Sequence, residues 1–284
     1  MSVFDGIDNT DDFSPFQESM GSGLTLPFTA PMVVWHGGDP QFASNPGASG
    51  VLHFGGWKID TQEYESVDPP VDGTPKLHPE TFHSDSGAYD VMATRELFLA
   101  PFGKRECFDQ EKRRSRLHVL AYSGIYSKEE SRIVPWTPVW IATTSYHGVS
   151  LKNAISQFAS RTSRARREHA KNLPPTAFWH RLGTFGDELK REKRGSNIQN
   201  WITPVQVQMM DNIDLDWLTR AYVGKETLEE MLDLLKQAEQ WLKAWDNIPE
   251  STQAGIPNRT PTRSSTPPPP DVPDDLDDDA YVPF

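Results

Sequence analysis

Cysteine is almost missing from this chain of 284 residues: Cys107 stands alone. No internal disulfide can form, and a reducing compartment such as the cytoplasm is expected. No His/Asn pattern points to Cys107 as a nucleophile, so it reads as a small buried residue. Long apolar runs are missing too. No stretch approaches the roughly eighteen residues a membrane-spanning helix needs, and no membrane partner is expected. The first residues, MSVFDGIDNTDDF, are acidic and lack the basic-then-apolar order of a secretion signal. Apolar residues make up only 36% of the chain, so part of it is expected not to fold.

Catalytic signatures are equally scarce. The glycine clusters GASG and GTFG lack the strand–GxxxxGK[ST]–helix context of a phosphate-binding loop. No Gly-x-Ser-x-Gly elbow occurs. His78 and His83 in HPETFHSD have neither a Cys pair nor a His-Glu-x-x-His helix beside them, so no metal is expected. No cofactor is expected either, and the chain reads as non-catalytic.

What is present is charge, unevenly spread. The formal net charge is −12, with 28 basic and 40 acidic residues. Residues 1–103 carry −12, residues 104–194 carry +10, and residues 195–246 and 247–284 carry −5 each. Nineteen of the 28 basic residues therefore lie in one third of the chain. A basic middle between acidic ends predicts a polyanion-binding surface beside segments able to compete for it.

Residues 1–26 read as a disordered acidic leader. Strands are expected at Ala30–Trp35, Val51–Ile59 (bent at Gly55-Gly56), Tyr89–Phe98, Arg116–Tyr122 and Pro138–Thr143. Residues 60–87 read as a long excursion. Ser150 is the expected N-cap of a helix running to Lys171, with Leu151, Ala154, Ile155 and Phe158 at helical spacing. Two aromatic strands follow, Thr176–Leu182 and Trp201–Met209, joined by a long charged loop. Thr227-Leu-Glu-Glu230 fits a capping box opening a helix whose apolar face holds Leu228, Met231, Leu232, Leu235, Ala238, Leu242 and Trp245. After Asn247 the sequence turns to Pro, Ser and Thr. Four regions result: the leader, a domain over 27–246, a linker over 247–270 and a tail over 271–284. Strands and helices do not alternate, so a doubly wound sheet is not expected. The predicted class is mostly β with helices (α+β): an OB-type antiparallel barrel with elaborated loops, an embedded helix and a C-terminal helical pair.

Binding single strands without sequence preference takes cations for the backbone and rings for the bases. The basic region interleaves both. Phe102, Lys104 and Arg105 precede Lys112, Arg113, Arg114 and Arg116. Arg164, Arg166 and Arg167 lie on the predicted helix. Trp179, Arg181 and Trp201 bracket Lys190, Arg191, Lys193 and Arg194. Trp57, next to Gly55-Gly56, is a further candidate for stacking. Trp241 and Trp245 read as packing residues. One groove lined by the candidate residues is the expected DNA site.

The chain given ends in DVPDDLDDDAYVPF, six aspartates followed by an apolar hook. Such charge density in an extended chain is comparable to a phosphate backbone. DDLDDDAYVPF resembles the acidic C-terminal tip of bacterial single-stranded DNA-binding proteins, in which aspartates precede a terminal Pro-Phe. Phage replication proteins of the same class end similarly, and the long body looks more like a phage-type version than the compact bacterial one. The resemblance covers less than a tenth of the chain. It departs at Ala280-Tyr281-Val282, where bacterial tips usually have one aliphatic residue. It implies that Asp277, Asp278, Asp279, Pro283 and Phe284, with Tyr281 beside them, contact replication, recombination or repair enzymes, and that the tail competes with DNA for the groove. As a flexible coil, residues 247–284 reach about 30–37 Å. The alternative is a DNA-metabolism enzyme, such as a nuclease, or a strand-annealing factor carrying the same tail. The residues leave a homo-oligomer open. The cytoplasm of a bacterial or phage-infected cell is the expected location.

Overall fold

A computed structural model describes residues 26–38, 51–68, 73–84, 87–109, 114–171, 173–185, 192–194 and 200–243. The predicted linker and tail, Lys112, Arg113, Lys190, Arg191 and nearly all of the leader lie outside the described residues.

Among the described residues, twelve strands form two sheets. They are β1 Met32–His36, β2 Gly56–Asp60, β3 Gly73–Thr74, β4 His78–Ser84, β5 Gly87–Thr94, β6 Glu96–Asp109, β7 Arg114–Ser127, β8 Arg132–Thr144, β9 His180–Gly183, β10 Glu192–Arg194, β11 Asn200–Ile202 and β12 Gln206–Gln208. The main sheet runs β12-β9-β6-β7-β8-β1-β2-β5-β4, with β3 beside β7, while β10 and β11 pair alone. Every pairing is antiparallel except β1 with β8, which departs from the expected all-antiparallel order. The helices are α1 Thr61–Glu65, α2 Ser145–His169, α3 Leu215–Ala221, α4 Lys225–Gln237 and α5 Glu239–Lys243. The protein is thus a mixed α+β structure dominated by a strongly curled half-barrel sheet.

The curl is visible in bonds between distant strands. Trp57 Nε1 on β2 donates to Leu182 O on β9 at 2.9 Å, though four strands separate them in the sheet. Thr184 Oγ1 donates to Gly55 O at 2.8 Å, and Thr184 N to Arg95 O at 3.0 Å. The approach is close enough to require glycine: a Cβ on Gly183 would sit 2.2 Å from Arg95 O. Gly55 itself has φ +90°, a conformation that glycine adopts without a Cβ penalty.

Alternation along each strand fills the inside of the curl. Val33, Trp35, Trp57, Ile59, Leu97, Leu99, Leu117, Val119, Val139 and Ile141 meet there, covered by Leu151 and Ala154 of α2. The opposite face of β6–β8 is also buried. Leu120 and Trp140 pack on Ala238 and Trp241, and Ala100 and Tyr122 on Met231 and Leu234. The central strands therefore lie between α2 on one side and α4–α5 on the other.

Several elements differ from expectation. The excursion over 60–87 contains α1, β3 and β4, with Asp60 capping α1 through bonds from Gln62 N and Glu63 N. The strand expected from Val51 begins as a short 3-10 turn at Leu52–Phe54. Thr176–Leu182 likewise opens with a 3-10 turn at Pro175–Ala177. The strand over 201–209 is split between β11 and β12, with buried Thr203 and Val205 between them. Helix α2 starts at Ser145, so Ser150 is internal; its hydroxyl bonds His147 O and accepts from Val205 N. Helix α4 starts after Gly224, whose φ is +92°, and Thr227 is buried within it rather than capping it. Leu232 is half exposed instead of lying on the apolar face, and among the described residues three helices, not two, follow β12.

Candidate nucleic-acid interface

The basic sequence stretches become two hairpins. In the first, β6 and β7 pair out to Asp109↔Arg114; Lys112 and Arg113, between them in the sequence, lie outside the described residues. In the second, β10 and β11 pair Lys193 with Trp201 and Arg194 with Asn200. The side chains of Arg114, Lys193, Arg194 and Trp201 are outside the described set.

Backbone bonding brings both hairpins to one end of the main sheet. Strand β1 runs parallel to β8 with Val34 opposite Ala142, so His36 ends level with Thr144. Thr144 in turn pairs with Arg116 at the start of β7. Two strand spacings separate Arg116 from His36, about 10 Å. Immediately after β11, Thr203 N donates to Gly37 O at 2.7 Å, and Trp35 Nε1 donates to Thr203 O at 3.0 Å. The second hairpin is thus tied to the sheet end from which the first emerges.

Three of the expected DNA-contacting arginines are buried, and two of them, Arg105 and Arg166, bond backbone carbonyls of the fold. Arg105 is 7% exposed: Nη1 donates to Trp241 O at 2.9 Å, Nη2 meets His118 Nδ1 at 3.3 Å, and the guanidinium lies 3.4 Å from the Trp241 ring centre. Arg116 is equally buried. Arg166 bonds Ala159 O, Thr162 Oγ1 and Leu173 O, closing the end of α2. Burial lowers its pKa, with Arg167 adding to the effect. Trp57 and Trp179 are core rings, 0% and 2% exposed, so the expectation that their faces stack on bases is corrected. Phe102 packs against the outer core rather than standing clear of it.

Others are exposed. Lys104 is exposed on β6. Arg164 and Arg167 are exposed on α2, and Arg164 pairs with Glu168 at 2.9 Å. Nineteen residues of helix separate Ser145 from Arg164, about 29 Å, which puts these cations far from the hairpin end. Arg181 makes a bidentate pair with Glu96, at 2.8 and 2.7 Å. The single groove expected from the sequence is therefore corrected for the described side chains: Arg105, Arg116 and Arg166 are buried, while Arg164 and Arg167 are exposed at the far end of α2.

A cavity of about 520 Å³ lies at that far end, where Arg181 meets Phe98, Tyr126, Gln208, Trp217 and Arg220. Apart from Trp179 and Arg181, none of its wall residues stood out in the sequence, because they come from five strands and a short helix.

Two histidines are held neutral. Burial pushes the His118 pKa down to about 3, with Arg105 and Arg116 adding to the effect. Its Nδ1 accepts from Trp140 Nε1 at 3.1 Å, which fixes the proton on Nε2. His180 stacks on Phe158 at 3.6 Å and is also pushed down to about 3 by burial. Burial lowers Lys58 to about 7; its Nζ bonds Tyr89 OH at 2.7 Å and lies 3.3 Å from the Phe82 ring centre. A lysine between Trp57 and Ile59 in a strand gave no sequence signal of this.

Among the described residues no three metal-ligating side chains gather, and no helix is long and apolar enough to cross a membrane. Set against protein-family models, curated proteins and solved structures, the chain matches none of them.

Proposed function

We propose that this protein is a non-catalytic, sequence-tolerant binder of single-stranded DNA, built on an OB-type variant of the curled sheet, and that it serves replication, recombination or repair in the cytoplasm. The observation that carries the proposal is the emergence of two basic hairpins from one sheet end, fixed there by the β1–β8 register and the Thr203–Gly37 bond. Hairpins at the rim of a curled sheet are where such folds clamp a strand. Lys112, Arg113, Arg114, Lys190, Arg191, Lys193 and Arg194 supply the backbone contacts, and Trp201, in register with Lys193, is the ring for a base. Residues 271–284 recruit partner enzymes through the aspartates, Tyr281, Pro283 and Phe284, and their charge competes with DNA.

The test is a fluorescence titration with oligo-dT at several salt concentrations. Binding that weakens with a log–log slope near −0.7 per phosphate contacted supports the proposal. Salt-independent binding, or none at low salt, refutes it. Cleavage or annealing of labelled strands in Mg²⁺ or Mn²⁺ would replace it with the enzymatic alternative.

A further inference from the structure

We propose that the cavity at the far end of α2 is a receptor for a single unpaired nucleobase. This deepens the single-strand reading and rests on it. The volume of about 520 Å³ is that of a small-ligand site. Its walls combine rings with planar polar groups. Phe98, Tyr126 and Trp217 present aromatic surface, while Gln208, Arg181 and Arg220 present an amide and two guanidinium planes. A base needs that combination, because it has π faces and a hydrogen-bonding edge. The Arg181 guanidinium already lies 5.8 Å from the Phe98 ring centre, the disposition of a cation over a ring.

The charge at the mouth selects the part of the nucleotide that enters. Arg181 is held by Glu96, and Arg220 by Asp216 at 3.4 Å. Each cation of the wall has its own carboxylate, so the cavity suits a neutral ring and not a phosphate. Outside it stands an exposed guanidinium: Arg161 donates to the backbone O of Met210, which lines the mouth. That places a cation beside the entrance, where a flanking phosphate would lie. The cavity opens to solvent at Tyr126 and Met210, 38% and 57% exposed. Methionine is adaptable, so a wall holding Met209 and Met210 accommodates any of the four bases. This matches a site that is tolerant of sequence.

The experiment is saturation-transfer NMR on the full chain with the four deoxynucleosides, in parallel with oligo-dT titration. The expected result is transfer to base protons more than to sugar protons, for all four nucleosides. Tyr126→Ala and Gln208→Ala, at positions outside the core, are expected to weaken thymidine binding about tenfold each, the scale of one lost stacking contact or one lost hydrogen bond, with unchanged thermal melting. No transfer, or transfer that neither variant alters, overturns the proposal. Stronger occupancy by phenylalanine amide than by any nucleoside also overturns it, in favour of an aromatic peptide site. If oligo-dT binds with its full salt slope while nucleosides do not, the cavity assignment fails and the single-strand reading stands. If nucleosides bind and oligo-dT does not, the single-strand reading fails.

Discussion

Replacing Arg105 with methionine separates a structural cation from a DNA contact. Methionine keeps much of the aliphatic stem and removes the guanidinium. Two interactions disappear, the 2.9 Å bond to Trp241 O and the 3.3 Å contact with His118 Nδ1, together with the stacking on Trp241 at 3.4 Å. A hydrogen bond from a charged group is worth about 1.5–3 kcal/mol, and a desolvated cation–π contact about 2 kcal/mol. Against this, the variant no longer buries a charge, which offsets several kcal/mol. His118 Nδ1 also retains its bond from Trp140. The net loss should be about 2 kcal/mol, read as a shift of the urea midpoint by circular dichroism. Oligo-dT affinity and its salt slope should not change. If stability stays the same and the salt slope falls by about 0.7, the loss of one phosphate contact, Arg105 faces DNA and the packing described for α5 is wrong.

Acid should destabilise the domain. His118 and His180 are held near pKa 3 in the fold, so between about pH 6.5 and 3 the unfolded chain binds protons that the folded chain refuses. Their stability is fully present above pH 6.5 and is lost as pH falls below it, by about 2 kcal/mol per histidine at pH 5; equal urea midpoints at pH 7.5 and 5 would contradict this. Gly183→Ala drives a methyl to 2.2 Å from Arg95 O, so it should cost about 3 kcal/mol, seen as a lowered thermal midpoint, and a wild-type melt would refute the close approach of β9 to β5 and β6. Deleting residues 271–284 should tighten oligo-dT binding at low salt and abolish capture of partner enzymes, whereas unchanged affinity would remove the competition from the account.

Much of the fold was legible where local chemistry and environment agree. APMVVW and PVWIAT became β1 and β8 because branched and aromatic residues suit strands buried on both faces. Leu151, Ala154 and Phe158 marked α2 because their spacing places them on one face. Strand β6 was only partly legible. Pro101 and Gly103 interrupt its pattern, and the structure absorbs them as a register shift against β7. The capping box at Thr227 misled because a glycine with positive φ three residues earlier turns the chain into α4.

The candidate site was less legible, for a physical reason. A basic residue in sequence looks the same whether it meets water or a buried carbonyl. Arg105 finds its acceptor 136 residues away, on Trp241, and no local pattern encodes that distance. The charge map located the basic third of the chain, but the sheet register decides which of those cations share a surface. The cavity was invisible for the same reason, since its walls join residues as far apart as Phe98 and Arg220.

The most direct test neutralises the basic stretches 112–113 and 190–193 together. Lys112, Arg113, Lys190 and Lys193 are changed to alanine in the full chain, and log affinity for oligo-dT is measured against log salt beside the unaltered protein. The account predicts an unchanged melt and a slope shallower by up to about 2.8, four phosphate contacts at 0.7 each. Neutralising only one stretch should give an intermediate slope. An unaltered slope in the fourfold variant, with the protein folded, would contradict the claim that this end of the sheet holds DNA.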